Sequence, residues 1–225
     1  MTDRSGATAG ELVAQTQREL AAIAEAIRSH RFLERLRTRD VPEERLRALA
    51  GEQHAIVSSD RRSFAQLATR FPFGLAGAFF LGMAEGEGVA LDKLRGLCAW
   101  LGMTDEELRA YEPHPGAQAY AAFVAWLALN GSRADVVLAF LANLAVWGEN
   151  CGKVAAALRE AYGAGDDAVA FFDFFASPAT DFEARALEVL GEGLTAGDSP
   201  VLARRASRLL QAYELSFWDA LAERL

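Results

Sequence analysis

Helical periodicity runs through almost the whole sequence and limits its fold more than any other feature. Apolar residues recur every three to four positions, and the alternation of Val, Ile and Thr that marks β-strands is missing. Turn signals separate the periodic segments at 113–116, 130–135, 162–167 and 195–200. The chain is therefore predicted to be all-α, with long helices and short loops that form a helical bundle.

Chemical signals mark several of the helix ends. Pro42 opens a helix with an acidic first turn, and Thr104 with Glu107 forms a capping box. The predicted helices cover residues 9–37, 42–69, 73–101, 104–110, 115–129, 133–161, 165–176, 178–194 and 199–224.

The whole chain, residues 1–225, is predicted to be one domain with a flexible N-terminus at 1–10. A hydrophobic content of 52% is enough for one large core, and no change in composition marks a boundary. The longest apolar segment begins at Phe71 and meets Glu85 before the roughly 20 apolar residues that a membrane span needs. The first residues do not resemble a signal peptide. We therefore expect a cytoplasmic protein without a membrane partner.

Charge and metal-binding residue types argue against several classes of protein. The net charge of -8 argues against nucleic-acid binding, since neutralising phosphates requires a basic surface. Cys98 and Cys151 are too few and too far apart for a disulfide scaffold or a CxxC zinc site. Three histidines in the chain nearly exclude a histidine-rich metal centre. No metal site and no cofactor are predicted.

Glu214 is an unusual residue in the last predicted helix, within "QAYELSFWDAL". On a helix its same-face neighbours include Leu210, Phe217 and Leu221, so its carboxyl group should lie on the buried face. Desolvation raises the pKa of such a carboxyl, which would then hold a proton near neutral pH and donate it to a leaving group. The alternative is a structural glutamate satisfied by a hydroxyl or backbone group.

Four segments in a fixed order carry a resemblance to a known family. "SHRFLERLRTRDVPEERLRALAGEQH" resembles the family's opening, and "QAYAAFVAW" followed by "GSRADVVLAFLANLAVWGE" resembles its "aYxxFl" and "W-x-Y" helices. "FFASPATDFEA" is similar to "YaSPeFe", and "YELSFWDAL" is similar to the terminal "lE-x-xFWd". Over residues 28–225 the chain thus resembles the TenA and PqqC superfamily.

The resemblance implies a haem-oxygenase-like fold, which is a helical bundle around a central ligand pocket, usually in a homodimer or homotetramer, and it does not imply haem. The TenA branch, thiaminase II, removes the amino group of an aminopyrimidine in thiamine salvage, with a cysteine nucleophile and an acid/base glutamate. The PqqC branch closes an aromatic quinone cofactor, and a third branch oxidises its substrate with two irons.

The family's site residues carry over only in part. Glu214 matches the acid/base glutamate, Tyr120 matches the ring-contacting tyrosine of "aYxxFl", and Trp147 matches the tryptophan of "C-x-W-x-Y". Ala145 replaces the nucleophilic cysteine of that motif, and Glu149 replaces its tyrosine. If Glu149 faced the cavity, two carboxyls sharing a site would split into acid and base. The alternative is that Glu149 faces solvent.

Other candidates for ligand contact lie on two further helices. Glu52 and His54 would reach the pocket or not according to the rotation of their helix, on which Gln53 and Ile56 match the family's aspartate and tyrosine. In "FFDFF", the side chains of Phe171 and Phe175 either form an apolar pocket wall or fill the core.

The oxidase and PqqC chemistries are disfavoured by missing residues. Two irons need about six histidine and carboxylate ligands, whereas the stretch after "FFDFF" offers only Asp181 and Glu183. A carboxylate-rich PqqC-type substrate needs cations, and residues 115–158 supply only Arg133 and Lys153. Glu85 and Glu87 are interpreted as ordinary polar helix positions.

The leading hypothesis is a TenA-like protein that binds a small aromatic heterocycle. If active, it would hydrolyse a C-N bond in thiamine-related or other cofactor metabolism, with Glu214 as acid/base, Glu149 assisting and no catalytic cysteine. The alternative is a non-catalytic member that binds a ligand or acts as an oligomeric scaffold.

Overall fold

The computed structural model describes residues 8–177 and 181–223, and every regular element within them is an α-helix. The prediction of an all-α chain is confirmed. The helices are α1 (Ala9–Glu19), α2 (Ala21–Arg28), α3 (Arg31–Arg37), α4 (Glu43–Arg70), α5 (Gly74–Trp100), α6 (Asp105–Ala110), α7 (Pro115–Asn130), α8 (Arg133–Tyr162), α9 (Asp166–Ala176), α10 (Phe182–Thr195) and α11 (Pro200–Leu221).

The predicted boundaries of α4 to α9 agree with the structure to within one residue. Their ends follow local chemistry. Thr104 and Glu107 form the predicted capping box at the start of α6, and Ser132 forms a similar box with Asp135 at the start of α8. Gly163 ends α8 in the left-handed conformation (φ 72°) that glycine adopts without strain.

The prediction of one continuous helix over 9–37 is wrong, because the structure has three helices there, α1, α2 and α3. The second break lies at His30, whose Nδ1 accepts a hydrogen bond from the backbone N–H of Phe32 at 3.2 Å and so caps α3. The first break lies at Leu20.

The N-terminus and the start of α10 also differ from the predicted boundaries. Thr8 caps α1 through a box with Glu11, so positions 8–10 are ordered, while residues 1–7 of the predicted flexible N-terminus lie outside the described residues. The first three residues of the predicted 178–194 helix also lie outside them, and α10 is described from Phe182.

Helix α8 lies at the centre of the bundle and packs against α3, α9, α10 and α11. Around it, α4 packs against α5 and α7, α5 against α9, and α7 against α11. Apolar side chains form two clusters, one including Phe32 and Trp218 and the other including Phe80 and Leu138, and Tyr120 packs against both. None of the described helices has an apolar stretch long enough to cross a membrane.

Candidate functional site

An inner cavity of about 50 Å³ lies where the two apolar clusters meet. Six helices, α4, α5, α7, α8, α9 and α11, contribute to its wall, which is mostly apolar with a few polar groups, as is typical of a small-molecule site. The lining residues are Gln53, Ile56, Val57, Asp60, Glu87, Tyr120, Phe140, Asn143, Leu144, Trp147, Phe175, Glu214 and Phe217.

Glu214 is the best-positioned acid of the inner cavity and is 2% exposed. Trp218 Nε1 donates to its Oε1 at 3.3 Å, and Asn143 Nδ2 donates to its Oε2. Burial raises the pKa of Glu214 to about 8, against the opposing effect of these two donors and of the charge of Arg28. The carboxyl therefore holds a proton at neutral pH.

The hydroxyl of Tyr120 extends this hydrogen-bonded chain, because it donates to Asn143 Oδ1 at 3.0 Å. Asn143 is 1% exposed, and its amide therefore links Tyr120 on α7 to Glu214 on α11. Burial, together with the nearby carboxyls of Asp60, Glu214 and Glu87, raises the pKa of Tyr120 well above its usual value, so the phenol stays protonated.

Two carboxyls that were not predicted to belong to the site, those of Asp60 and Glu87, also line the inner cavity. Asp60 is 4% exposed, and its Oδ1 has no hydrogen-bond partner among the described residues. Burial and the neighbouring Glu87 raise the pKa of Asp60 well above its usual value, and burial raises that of Glu87 to about 8. The interpretation of Glu87 as an ordinary polar helix position is corrected.

The sequence contains a signal for Asp60. Gln53, Ile56, Val57 and Asp60 follow helical spacing and share one face of α4, so Asp60 is a polar residue on an apolar face, like Glu214.

An outer cleft of about 260 Å³ adjoins the inner cavity. Glu87, Phe140, Leu144 and Phe175 line both spaces and form the wall between them. The other residues of the outer cleft are Phe79, Gly82, Met83, Gly86, Phe174, Ser177, Asp181, Phe182 and Arg185.

The comparisons with known proteins agree on the family and the fold. The model of the TENA/THI-4/PQQC family matches residues 17–223. The chain belongs to this family. No curated protein matches it significantly.

Solved structures of TenA homologues resemble the chain over nearly its whole length. A TenA homologue from Pseudomonas syringae is 16% identical, with 99% of each chain covered and a TM-score of 0.80. A protein from Shewanella denitrificans, described as having a heme oxygenase-like fold, is 13% identical, with 94% of this chain and 90% of that one covered and a TM-score of 0.74. A putative TenA-like thiaminase from Sulfolobus solfataricus is 14% identical, with 94% and 97% covered and a TM-score of 0.63. The predicted haem-oxygenase-like fold is thereby confirmed.

The structure brings four of the predicted site residues of this family member together. Glu214, Tyr120, Trp147 and Phe175 all line the inner cavity. The Trp147 ring lies 6.0 Å from the Phe175 ring and 5.9 Å from the Trp218 ring, measured between centroids. Trp147 and Phe175 form an aromatic part of the cavity wall, and Trp218, which donates to Glu214, packs against Trp147.

The predicted orientation of Glu149 toward the cavity is corrected. Glu149 is exposed, and its Oε2 accepts a hydrogen bond from Arg28 Nε at 2.6 Å. Ala145 is exposed as well. The reason is the rotation of α8, which turns Asn143 and Trp147 toward the cavity, whereas a position two residues later lies about 200° further round the helix.

Among the described residues, the α8 side chains that line the inner cavity include no thiol or hydroxyl group. The α8 residues that line the inner cavity are Phe140, Asn143, Leu144 and Trp147, and none has a nucleophilic side chain. Cys151, further along α8, is fully buried, and burial and the charge of Glu214 raise its pKa well above the usual value, which keeps the thiol protonated.

Three other predicted contact residues lie away from the inner cavity. Glu52 is buried against the start of α7, where its Oε1 accepts hydrogen bonds from the Tyr111 hydroxyl at 2.8 Å and from the His114 backbone N–H at 2.7 Å. His54 lines a separate pocket, between α4, α5 and α6. Phe171 is fully buried in the core. In all three cases helix rotation, which the pattern did not determine, directs the side chain elsewhere.

No group of three or more His, Cys, Asp or Glu side chains in the described part of the chain is arranged to hold a metal ion.

Proposed function

We propose that the chain binds a small aromatic heterocycle in the inner cavity and hydrolyses a C-N bond of that ligand, with Glu214 as the acid/base. The observation that carries the proposal is the buried Glu214 carboxyl, which is fixed by donors from Asn143 and Trp218, has a pKa raised to about 8, and lies in an aromatic wall. Family membership and the likeness to a protein described as a putative TenA-like thiaminase support a TenA-type activity.

The proposed reaction needs one proton donor and one water molecule. Water attacks the carbon of the C-N bond, the bond breaks, and the departing nitrogen takes the proton of Glu214 and leaves as an amine or ammonia. The Glu214 carboxylate recovers a proton from the attacking water, so atoms and charge balance. Tyr120 and Asn143 hold the carboxyl in place through their hydrogen bonds.

We propose that this reaction uses no cysteine nucleophile. Cys98 and Cys151 are not among the residues that line the inner cavity in the described part of the chain, and burial raises the pKa of both thiols. Direct attack by water is therefore the step that the available side chains support. Glu149 has no part in it, because it is exposed and paired with Arg28.

The direct test is ammonia release from an aminopyrimidine by the wild type and by Glu214→Gln. We expect kcat/KM to fall by about 100-fold or more, which is typical of removing a general acid/base. Glu149→Gln is the matched control, since it makes the same change at an exposed carboxyl outside the cavity, and its rate should stay within about twofold of the wild type. Equal activity of Glu214→Gln and wild type would refute the proposed role.

A non-catalytic role, in ligand binding or as a scaffold, is the second candidate, and the small volume of the inner cavity favours its scaffold form. A dry cavity of about 150 Å³ is the size that holds benzene, whereas this one measures about 50 Å³. Binding a ring therefore requires the wall to move. Absence of turnover by the wild type, combined with measurable binding of the aminopyrimidine, would select this second function.

A cytoplasmic homodimer or homotetramer is proposed as the working form. Exposed apolar side chains on the neighbouring helices α7 and α11 support self-association, since Trp126 is 54%, Leu129 65% and Val201 62% exposed. Thiamine-related metabolism, and the lack of nucleic-acid and membrane partners, remain predictions from the sequence. Light scattering coupled to gel filtration measures the oligomeric state directly.

A further inference from the structure

The outer cleft is larger than the inner cavity and shares four lining residues with it. The wall consists of Glu87, Phe140, Leu144 and Phe175, of which Glu87, Leu144 and Phe175 are only partly buried. Since a ring needs more room than the inner cavity offers, the wall is expected to open where its side chains are least tightly packed. Such an opening joins the two spaces.

Two glycines expose the backbone of α5 to the outer cleft, although no close neighbour excludes a larger side chain there. Gly82 and Gly86 are one helical turn apart on α5 and both line the outer cleft. A Cβ placed on Gly86 would have no neighbour within 4 Å among the described residues, and one placed on Gly82 would only reach Arg185 Nη2 at 4.0 Å. In contrast, a Cβ on Gly77 would clash with the backbone oxygen of Phe71 at 2.8 Å. Each mid-helix glycine costs about 1 kcal/mol relative to alanine, and at Gly86 no close neighbour requires it.

Asp60 gives an independent sign of a missing ligand group. Its Oδ1 is buried at the inner cavity without a partner among the described residues, and an unpaired buried polar atom is unfavourable. A hydrogen-bond donor on a ligand would satisfy it. Glu87 lines both spaces. A ligand that occupied both would therefore have the atoms that connect its two parts next to the Glu87 carboxyl group.

We propose that the inner cavity and the outer cleft are two subsites of one pocket, and that its ligand carries a flat apolar substituent which lies in the outer cleft. This inference rests on the proposed function, because it places the polar heterocyclic part of the ligand in the inner cavity. The substituent packs on the exposed backbone of Gly82 and Gly86. It also contacts the aromatic rings that line the cleft, which are those of Phe79, Phe174 and Phe182. Met83 adapts to its shape.

The test compares two probes on the full chain by isothermal titration calorimetry. The probes are 4-aminopyrimidine and N-benzylpyrimidin-4-amine, which differ only by a benzyl group. For the wild type we expect the benzylated probe to bind about tenfold more tightly or better, a difference of about 1.4 kcal/mol. Gly86→Leu should reduce this advantage to less than about twofold, since its side chain occupies the cleft.

Gly191→Leu is the matched control, because it makes the same change at a glycine on α10 that also has no neighbour within 4 Å of a Cβ and is not among the described lining residues of either space. It should keep the full benzyl advantage, and both variants should keep or raise the melting temperature, since leucine favours helix over glycine.

Equal affinities of the two probes for the wild type, or an advantage that survives in Gly86→Leu, would overturn the two-subsite proposal. Failure of both probes to bind would overturn it as well. Ammonia release by the wild type is assayed separately, so active enzyme without a benzyl advantage removes this inference and leaves the proposed hydrolysis standing. A benzyl advantage without turnover supports the subsite and removes only the hydrolysis.

Discussion

At the scale of single residues, Asn143 satisfies two buried polar groups at once. Its Oδ1 accepts the hydrogen bond of the Tyr120 hydroxyl at 3.0 Å, and its Nδ2 donates to Glu214. The donated bond lowers the pKa of Glu214, although burial outweighs it and holds the value at about 8. Asn143 therefore contributes both to stability and to the protonation of the proposed acid/base.

We expect Asn143→Ala to lower the free energy of unfolding by about 2 to 4 kcal/mol, because it leaves a buried hydroxyl and a buried carboxyl oxygen without their partner. The pKa of Glu214 should rise above its value of about 8, since a bond that favours the charged form is lost. Urea denaturation measures the first effect, and NMR titration of the carboxyl carbons measures the second.

Asn130→Ala serves as the control for this substitution. Asn130 is exposed, and its side-chain amide donates to the Trp126 carbonyl at 2.9 Å. Its removal should change the free energy of unfolding by less than about 0.5 kcal/mol. If both alanine variants were equally stable, the structural role assigned to Asn143 would be contradicted.

The sequence pattern identified some site residues and missed others for one physical reason. Glu214 stood out because its helix has a clear apolar face, so a carboxyl in the middle of that face was visible. Helix α8 is apolar nearly all round in its first half, and such a helix has no preferred side to fix its rotation. The pattern therefore gave no means to choose Asn143 over Glu149.

At the scale of helices, the packing of α5 against α9 depends on a close approach at Gly96. A Cβ at this position would overlap the backbone oxygen of Asp167, which is part of the first turn of α9. A backbone atom cannot swing aside as a long side chain can, so the two helices would have to separate. The same two helices provide Glu87 and Phe175 to the wall of the inner cavity.

We expect Gly96→Ala to destabilise the protein by about 1 to 3 kcal/mol through overpacking, although alanine is the better helix former. Gly86→Ala on the same helix is the control, since a Cβ there has no neighbour within 4 Å, and it should stabilise by up to about 1 kcal/mol. Urea denaturation of the two variants measures both changes. Stabilisation by Gly96→Ala would contradict the close approach.

Helix positions were largely predictable, because caps, prolines and turn residues act within a few residues of each end. The boundaries of α4 to α9 follow such local signals. The division of 9–37 was not predicted, since apolar periodicity continues across the break where His30 caps α3. Contacts between distant helices, such as that of Gly96 with Asp167, leave no trace in local patterning.

At the scale of the whole molecule, buried carboxyls should make stability depend on pH in an unusual direction. Asp60, Glu87 and Glu214 have raised pKa values, which reach about 8 for Glu87 and Glu214. Between about pH 4.5 and 8 the folded state therefore keeps protons that the unfolded chain has released. The contribution of these carboxyls to stability is fully present below their pKa values in the unfolded chain. It is lost as the pH rises through their pKa values in the folded state.

Other groups do not reverse this expectation. Glu34 and Asp173 have lowered pKa values, so their effects fall below the window. His54 has a lowered pKa and opposes the trend, but only near its usual value of about 6.5. Glu52, whose pKa is raised by burial, adds to the trend.

We expect the free energy of unfolding to decrease from pH 5 to pH 8, by up to about 1.4 kcal/mol per pH unit for each fully buried carboxyl involved. The double variant Asp60→Asn, Glu214→Gln should reduce the slope of this profile, because amides do not titrate and of the three carboxyls only Glu87 then contributes, and it should be more stable than the wild type at pH 8. Urea denaturation at unit steps of pH gives both curves. Glu149→Gln, which alters an exposed carboxyl paired with Arg28, should reproduce the wild-type slope. A wild-type stability that stays flat or rises from pH 5 to pH 8 would contradict the raised pKa values of the inner-cavity carboxyls, and the proton that the proposed reaction takes from Glu214 would then be missing at neutral pH.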